Sequence, residues 1–432
     1  MLEIFRNGNP QKVLIVGGGG REHALGWRIA KDEPGTQLEF APGNAGTQEL
    51  GRNVDIDPSD VDRLVNHAVD NRLNMVVVGS EDPLGRGLIN ALQEANGRIL
   101  GFGPTQEAAQ LETDKYFATR FMDRHNIPHP KTSAATDPET ALGIVRSYSL
   151  GDSHPKVVIK VNGPAGGKGV FIPESYEEAE EAINLIMINR KFGAAGDKVI
   201  IQERLFGVEV SAIAFVSNIV KLLPLARDYK RSFDGDLGPN TGGMGAFAPS
   251  NELTQEDVDE IVEKILIPTR RGMGKDGIPF KGVLYAGIMM TRKGPFVLEY
   301  NVRFGDPETQ VQLRLVSENI AELMRRTVHG TLSNGEVKTR NQHAVGVVLA
   351  SEGYPGNHET GKKISGLDRL GKEVVVFHSG TERRGNEIET SGGRVLTVTA
   401  TGKSKGEARQ KAYEASGKIL FEGKQMRRDI GA

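Results

Sequence analysis

The sequence predicts a multidomain chain of α/β and α+β units, with an open parallel α/β domain first and a small α/β domain last. Three observations carry this. Apolar strand runs such as Lys12–Val16 and Met75–Val78 alternate with helical runs through the first quarter, the pattern of a parallel sheet. The middle joins strands through long glycine-rich loops, and the end returns to strands followed by one amphipathic helix. With 432 residues the chain has room for about three domains.

Composition narrows the function. A net charge of −2 offers no broad basic surface for nucleic acid. The absence of cysteine excludes disulfides, thiolate metal sites and a cysteine nucleophile. Met1–Pro10 is polar and lacks the apolar run of a signal peptide. No window approaches the roughly 18 apolar residues of a membrane span, so a soluble cytoplasmic protein is expected.

In the first domain, Lys12–Val16 is a strand, Gly17–Gly20 a turn, and Ala24–Ala30 a helical run. Glycines between a strand and a helix let backbone N–H groups approach an anion. The dinucleotide pattern G-x-G-x-x-G fails at Glu22, while Arg21 adds a cation that favours phosphate. Met75–Leu84 repeats strand, loop and helix and carries Glu81, and Ile99–Pro104 is a further short strand. Ligands are expected at the carboxyl ends of these strands.

In the middle, Gln110–Lys115 opens a helix with Phe117, Phe121 and Met122 on its apolar face. Lys156–Val161, Gly163–Gly169 and Val170–Ile172 read as strand, glycine loop, strand. A P-loop requires Ser or Thr after its lysine and a helix beyond; here Gly169 follows Lys168, so a flap able to close over a triphosphate is the reading. Val199–Glu209 is a strand running into a loop, on which Glu203 and Glu209 by themselves read as solvent-facing. The polar stretch Asp234–Gly245 is a long loop inside a folded region, which points to function. Lys230 and Arg231 can neutralise phosphate there, and Thr241 with its glycines can present N–H groups.

Gly282–Met290 is a buried strand expected to pair with Leu298–Phe304. On the latter, period-2 alternation puts Glu299, Asn301 and Arg303 on one face and Tyr300, Val302 and Phe304 in the core. A carboxylate beside an amide oxygen suits a hard cation such as Mg²⁺, and Arg303 would meet an anion two residues beyond. Asp306 is expected to cap the next helix, with Pro307 at its first position. In the last domain Ala344–Ala350, Val374–Phe377 and Arg394–Thr399 are strands, and Lys405–Ile419 is a helix. His343, His358 and His378 lack metal-ligand spacing and read as structural or exposed.

Glu299–Gln310 and Gly238–Gly245 resemble the most distinctive motifs of the glycinamide ribonucleotide synthetase family, and Val13–Trp27 and Ala41–Thr47 are similar to it almost residue for residue. Gly392–Ala400 is similar to the family's C-terminal domain. The resemblance runs from Lys12 to about Gly431, with departures at Ser80, Asp82, Thr113, Asp114, Val161, Asn162, Pro164 and Gly166. It implies an N-terminal substrate domain over 1–112, an ATP-grasp body over 113–335 with a small lid over about 130–205, and a C-terminal domain over 336–432.

The implied reaction is ATP-dependent ligation of glycine to 5-phosphoribosylamine. The resemblance gives Lys115, Lys160, Lys168, Glu203, Leu205, Glu209 and Lys230 to ATP, and Glu299 and Asn301 to Mg²⁺ or Mn²⁺. It gives Gly19, Gly20, Arg21, Glu22, Glu81, Asn240, Thr241, Gly242, Gly243, Arg303, Gly305 and Asp306 to substrate, with Arg303, Asp306 and Lys168 catalytic. It implies a monomer. Two alternatives stay open: a related ATP-grasp ligase with a different acyl donor or amine acceptor, and a non-catalytic nucleotide-binding protein.

Overall fold

A computed structural model describes residues 11–95, 97–152, 154–165, 168–250 and 252–432. Met1–Pro10, Gly166 and Gly167, which bear on the signal-peptide and flap readings, lie outside them. Strands β1 (Lys12–Gly17), β2 (Gln37–Pro42), β3 (Arg52–Asn53), β4 (Met75–Val78) and β5 (Leu100–Phe102) form a parallel sheet in the order β3-β2-β1-β4-β5. Val13–Val16 and Met75–Val78 are buried on both faces, which is why they read as unbroken apolar runs. The order reverses between β1 and β4, so their carboxyl ends frame a ligand crevice.

The helix after β1 spans Gly20–Asp32, starting earlier than the apolar pattern indicates. Glu22 reaches back and accepts from the Gly19 N–H at 2.8 Å, satisfying a donor that the helix start leaves orphaned. The helix expected from Gln110 is two helices, Gln106–Thr113 and Lys115–His125. They break at Asp114, whose carboxylate caps the second by accepting from Phe117 N–H at 2.8 Å.

Strands β6 (Thr132–Ala135), β7 (Val157–Val161), β8 (Val170–Phe171) and β9 (Val199–Glu203) make an antiparallel sheet in the order β6-β9-β7-β8. Ala141, Val145, Ala179 and Ile183 of two helices bury against it. Next come β10 (Val208–Val216), β11 (Val220–Leu222), β12 (Arg227–Asp228), β13 (Arg231–Phe233), β14 (Leu237–Asn240), β15 (Gly245–Ala248), β16 (Gly282–Thr291) and β17 (Gly294–Asn301). The expected pairing of β16 with β17 is present, within the sheet β11-β10-β16-β17. Glu209 lies on β10 rather than in a loop. The stretch Asp234–Gly245, expected to be one polar loop, contains β14, which pairs back on β13 through a turn with Gly235 at φ +69°.

The last strands are β18 (His343–Ala350), β19 (Val375–His378), β20 (Thr381–Arg384), β21 (Glu387–Thr390) and β22 (Arg394–Gly402). The helix Lys405–Lys418 buries Ala408, Ala412 and Ala415. The main sheet here runs β12-β15-β18-β22-β19, so two of its five strands come from the middle of the chain.

Candidate active site

A cavity of about 620 Å³ opens between the N-terminal domain, through Glu81, Leu111 and Glu112, and the middle of the chain. Its floor is β17. A register shift opposite Gly287 and Ile288 interrupts the expected strict alternation, and the strand ends at Asn301, before Arg303. Glu299, Asn301 and Arg303 nonetheless all line the cavity, while Tyr300, Val302 and Phe304 are buried.

Three lysines surround Glu299. Burial alone would favour its neutral form, but Lys230, Lys160, Lys115 and Arg303 hold the carboxyl below its usual range. Lys160, on β7, donates to the Leu298 carbonyl at 2.9 Å across the cavity. Burial, with help from Lys115 and Lys230, pulls its pKa down to about 8, against the attraction of Glu299. Lys115, at the start of its helix, donates to the Gly163 carbonyl at 3.2 Å and is lowered chiefly by burial. Lys230 pairs with Glu209; burial opposes its charge, but Glu209, Tyr285 and Glu299 raise its pKa.

Among the described residues no cluster of three or more His, Cys, Asp or Glu could hold a metal. The two cavity oxygens that could face a cation on this strand are the Glu299 carboxylate and the Asn301 amide, the latter also accepting from Arg303 Nη2. That suits a hard cation whose remaining ligands are water and phosphate.

Arg303 is the centre of a buried knot. Its Nε donates to Glu81 at 3.1 Å, Nη2 to Asn301 Oδ1 at 3.0 Å and Nη1 to the Phe304 carbonyl at 3.2 Å, and Nη2 also forms an ion pair with Glu112 at 2.9 Å. A guanidinium has five N–H donors; three are hydrogen-bonded here, the second on Nη2 belongs to the nitrogen paired with Glu112, and the second on Nη1 has no partner among the described residues. Burial opposes the ionised Glu81, yet Arg303 and Arg21 hold it down at about 2. Burial pushes Glu112 up to about 7, although Arg303 opposes this. Arg21 donates from its own Nη1 to the same Phe304 carbonyl at 3.1 Å and pairs with Glu22 at 2.7 Å. The parallel sheet's switch point thus joins the end of β17 through two arginines on one carbonyl.

Asp306 does not cap the following helix, which spans Glu308–Leu315 with Pro307 at its cap position. Its carboxylate accepts from Gln310 Nε2 at 2.6 Å and from Arg394 at 3.0 Å, a full charge that outcompetes helix N–H groups. Arg394, from β22, also donates to the Gly242 carbonyl at 2.6 Å. Against burial, Arg394 and Arg21 keep Asp306 below its usual range. Beside it, Glu308 accepts from Ser211 at 2.9 Å and Tyr285 at 2.6 Å. Burial and the Glu308 charge push Asp228 far above the carboxylate range, and its Oδ1 has no partner among the described residues.

The sequence matches three models of one family: the phosphoribosylglycinamide synthetase N domain over residues 11–112, its ATP-grasp (A) domain over 113–309, and its C domain over 344–432. The chain belongs to the phosphoribosylglycinamide synthetase family. It is 42% identical over 423 residues to a phosphoribosylamine–glycine ligase from Caldanaerobacter subterraneus subsp. tengcongensis, covering 98% of this chain and 99% of that one. It is 42% identical over 428 residues to the Vibrio cholerae ligase, covering 97% of each. The crystal structure of phosphoribosylamine–glycine ligase from Thermotoga maritima superimposes with a TM-score of 0.84 at 38% identity, covering 97% of this chain and 100% of that one. The three-domain synthetase architecture expected from the sequence is present.

Of the residues read from the sequence of this synthetase, Glu81, Lys115, Lys160, Glu203, Leu205, Glu209, Lys230, Asn240, Thr241, Gly242, Glu299, Asn301, Arg303 and Asp306 line the cavity. Lys168 does not; it is exposed on the loop between β7 and β8. Gly19, Gly20, Arg21, Glu22, Gly243 and Gly305 stand behind the wall. A Cβ on Gly243, at φ +111°, would meet Asp228 and Pro307 at 2.6 and 2.4 Å, and one on Gly305 would meet Glu308 at 2.5 Å. Sequence reasoning missed Glu112, Asp228, Glu308 and Arg394. Glu308 lies inside a quoted motif and was within reach. The other three acquire their neighbours only through contacts with distant segments.

Proposed function

We propose that this chain joins glycine to 5-phosphoribosylamine while ATP becomes ADP and phosphate, as a step of de novo purine biosynthesis. The observation that supports it best is the convergence of Lys115, Lys160 and Lys230 on Glu299, in one cavity that Asn301 and Arg303 also line. Phosphoryl transfer is mainly positioning and charge neutralisation, so such a site needs no nucleophile of its own. The glycine carboxylate attacks the γ-phosphorus and ADP leaves. The amine of phosphoribosylamine then attacks the carbonyl carbon of glycyl phosphate, and phosphate leaves as the amide forms.

In this reading Lys115, Lys160 and Lys230 neutralise the phosphates, and Glu203, Leu205 and Glu209 hold the nucleoside. Glu299 and Asn301 hold Mg²⁺ or Mn²⁺, which would supply further charge neutralisation. Arg303 offers its remaining N–H to the glycine carboxylate, and Asp306 orients substrate. Arg21, Glu22 and Glu81, with the backbone of Gly19, Gly20, Asn240, Thr241, Gly242, Gly243 and Gly305, receive the ribose phosphate side. Lys168 reaches the nucleotide only if its loop closes. The test is ADP release with phosphoribosylamine generated in place, comparing glycine with alanine, serine and no amino acid. Release that requires both glycine and phosphoribosylamine is expected. Release with another amino acid overturns the substrate assignment, and ATP binding without release overturns the enzymatic one.

A further inference from the structure

We propose that Glu112 is a positioning residue for this reaction: it sets the guanidinium of Arg303 and the turn that follows the metal-facing strand. The inference rests on the functional reading above for what Arg303 does, and on geometry for how Glu112 acts.

Glu112 is the penultimate residue of the helix Gln106–Thr113 and the last residue of the N-domain match. Its side chain crosses into the ATP-grasp domain, where both carboxylate oxygens are engaged. Oε2 accepts from the Val302 N–H at 2.7 Å and Oε1 pairs with Arg303 Nη2 at 2.9 Å. One carboxylate thus holds the backbone of one residue and the side chain of the next. The need is local. β17 ends at Asn301, so the buried Val302 no longer has a β-ladder partner for its N–H.

The second contact reaches further. Nη2 of Arg303 donates to Asn301 Oδ1 at 3.0 Å and forms its ion pair with Glu112 Oε1 at 2.9 Å, so one nitrogen is held from both sides. Glu112 therefore fixes which edge of the guanidinium faces the Asn301 amide and where the remaining Nη1 proton points. Among the described residues, Glu81, Arg21 and Lys115 also act on the charge of Glu112. None of them has a hydrogen bond to it, and its side chain is only 9% exposed. This arrangement makes Glu112 a link between the orientation of the N-terminal sheet and the reacting end of the ATP-grasp site.

The test is E112Q alone and in the background of R303K. An amide of the same shape has one acceptor oxygen, so it can serve Val302 or Arg303 but not both. E112Q should lower kcat/KM about 10- to 100-fold, the usual cost of losing a group that orients another, with the melting temperature near that of the parent. In R303K the same change should cost less than about 3-fold, because residues acting through one another are not additive. Equal losses in both backgrounds, or an E112Q enzyme with parental kcat/KM, would overturn the proposal. If E112Q proves unstable, E112D keeps the charge, and it must then be coupled to R303K in the same way. The cycle reads ADP release and applies to whichever acyl donor is turned over, whereas failure of the functional reading shows in the parent enzyme's substrate requirement.

Discussion

Replacing Lys160 with methionine should make the unliganded protein no less stable while destroying its activity. Lys160 is 5% exposed, and its pKa falls from 10.5 to about 8. That displacement corresponds to roughly 3 kcal/mol by which the fold disfavours the ammonium. Methionine fills nearly the same volume without a charge. It also removes the 2.9 Å hydrogen bond to the Leu298 carbonyl, a loss of about 1–3 kcal/mol. The net change lies between about zero and 2 kcal/mol in favour of the variant, so the melting temperature should hold or rise by a few degrees. Activity should fall about 10²- to 10³-fold if Lys160 stabilises the transferring phosphoryl group.

The assay is differential scanning fluorimetry without nucleotide, beside ADP release with both substrates. The pH dependence sharpens it. Between pH 8 and 10.5 the unfolded lysine binds a proton that the folded one has lost, so the parent gains stability as pH rises through that window. K160M lacks this titration, and its advantage should shrink toward pH 10.5. A variant that melts well below the parent at pH 7, or whose difference from the parent does not change with pH, would refute the reasoning.

Glu299→Ala should abolish Mg²⁺-dependent ADP release by orders of magnitude while circular dichroism shows an intact fold, since no ion pair or side-chain hydrogen bond engages Glu299 among the described residues. Gly79→Ala would place a Cβ 2.1 Å from the Glu22 carboxylate. Because Glu22 holds Arg21 and the Gly19 N–H, the KM for phosphoribosylamine should rise about 10-fold, with stability lowered by about 1–3 kcal/mol; steady-state kinetics and thermal melting check both. Arg394→Leu would remove the ion-pair partner of the half-buried Asp306 carboxylate, leaving Arg21 and Arg303 to offset part of its charge, and should destabilise the protein by about 2–4 kcal/mol, read in urea titration.

The glycine turn after β1 was legible because its glycines sit between a strand and a helix, and Glu299 and Asn301 because they are two apart on one strand; Arg303 lines the same cavity although the strand has already ended at Asn301. The break at Asp114 was missed because Gln106–His125 has helix-compatible residues throughout, and one capping carboxylate decides the boundary. Asp306 looked like a cap because only local N–H groups are visible along a sequence; its partner Arg394 lies 88 residues away. Glu112 reaches Val302 across 190 residues. Such pairings arise from topology, and only the folded chain displays them.

The sheet β12-β15-β18-β22-β19 also constrains the timing of synthesis. Ala248 of β15 pairs with Ala344 of β18, so one edge of β15 waits for a partner not yet translated. At ribosomal rates of roughly 5–20 residues per second, the edge remains open for on the order of ten seconds. During that interval the strand leading out of the loop Asn240–Gly243 is an unprotected template for other nascent chains. Crowded polysomes would therefore select for chaperone cover of this segment, and a pause placed just after β15 would be costlier to yield than one placed after β22.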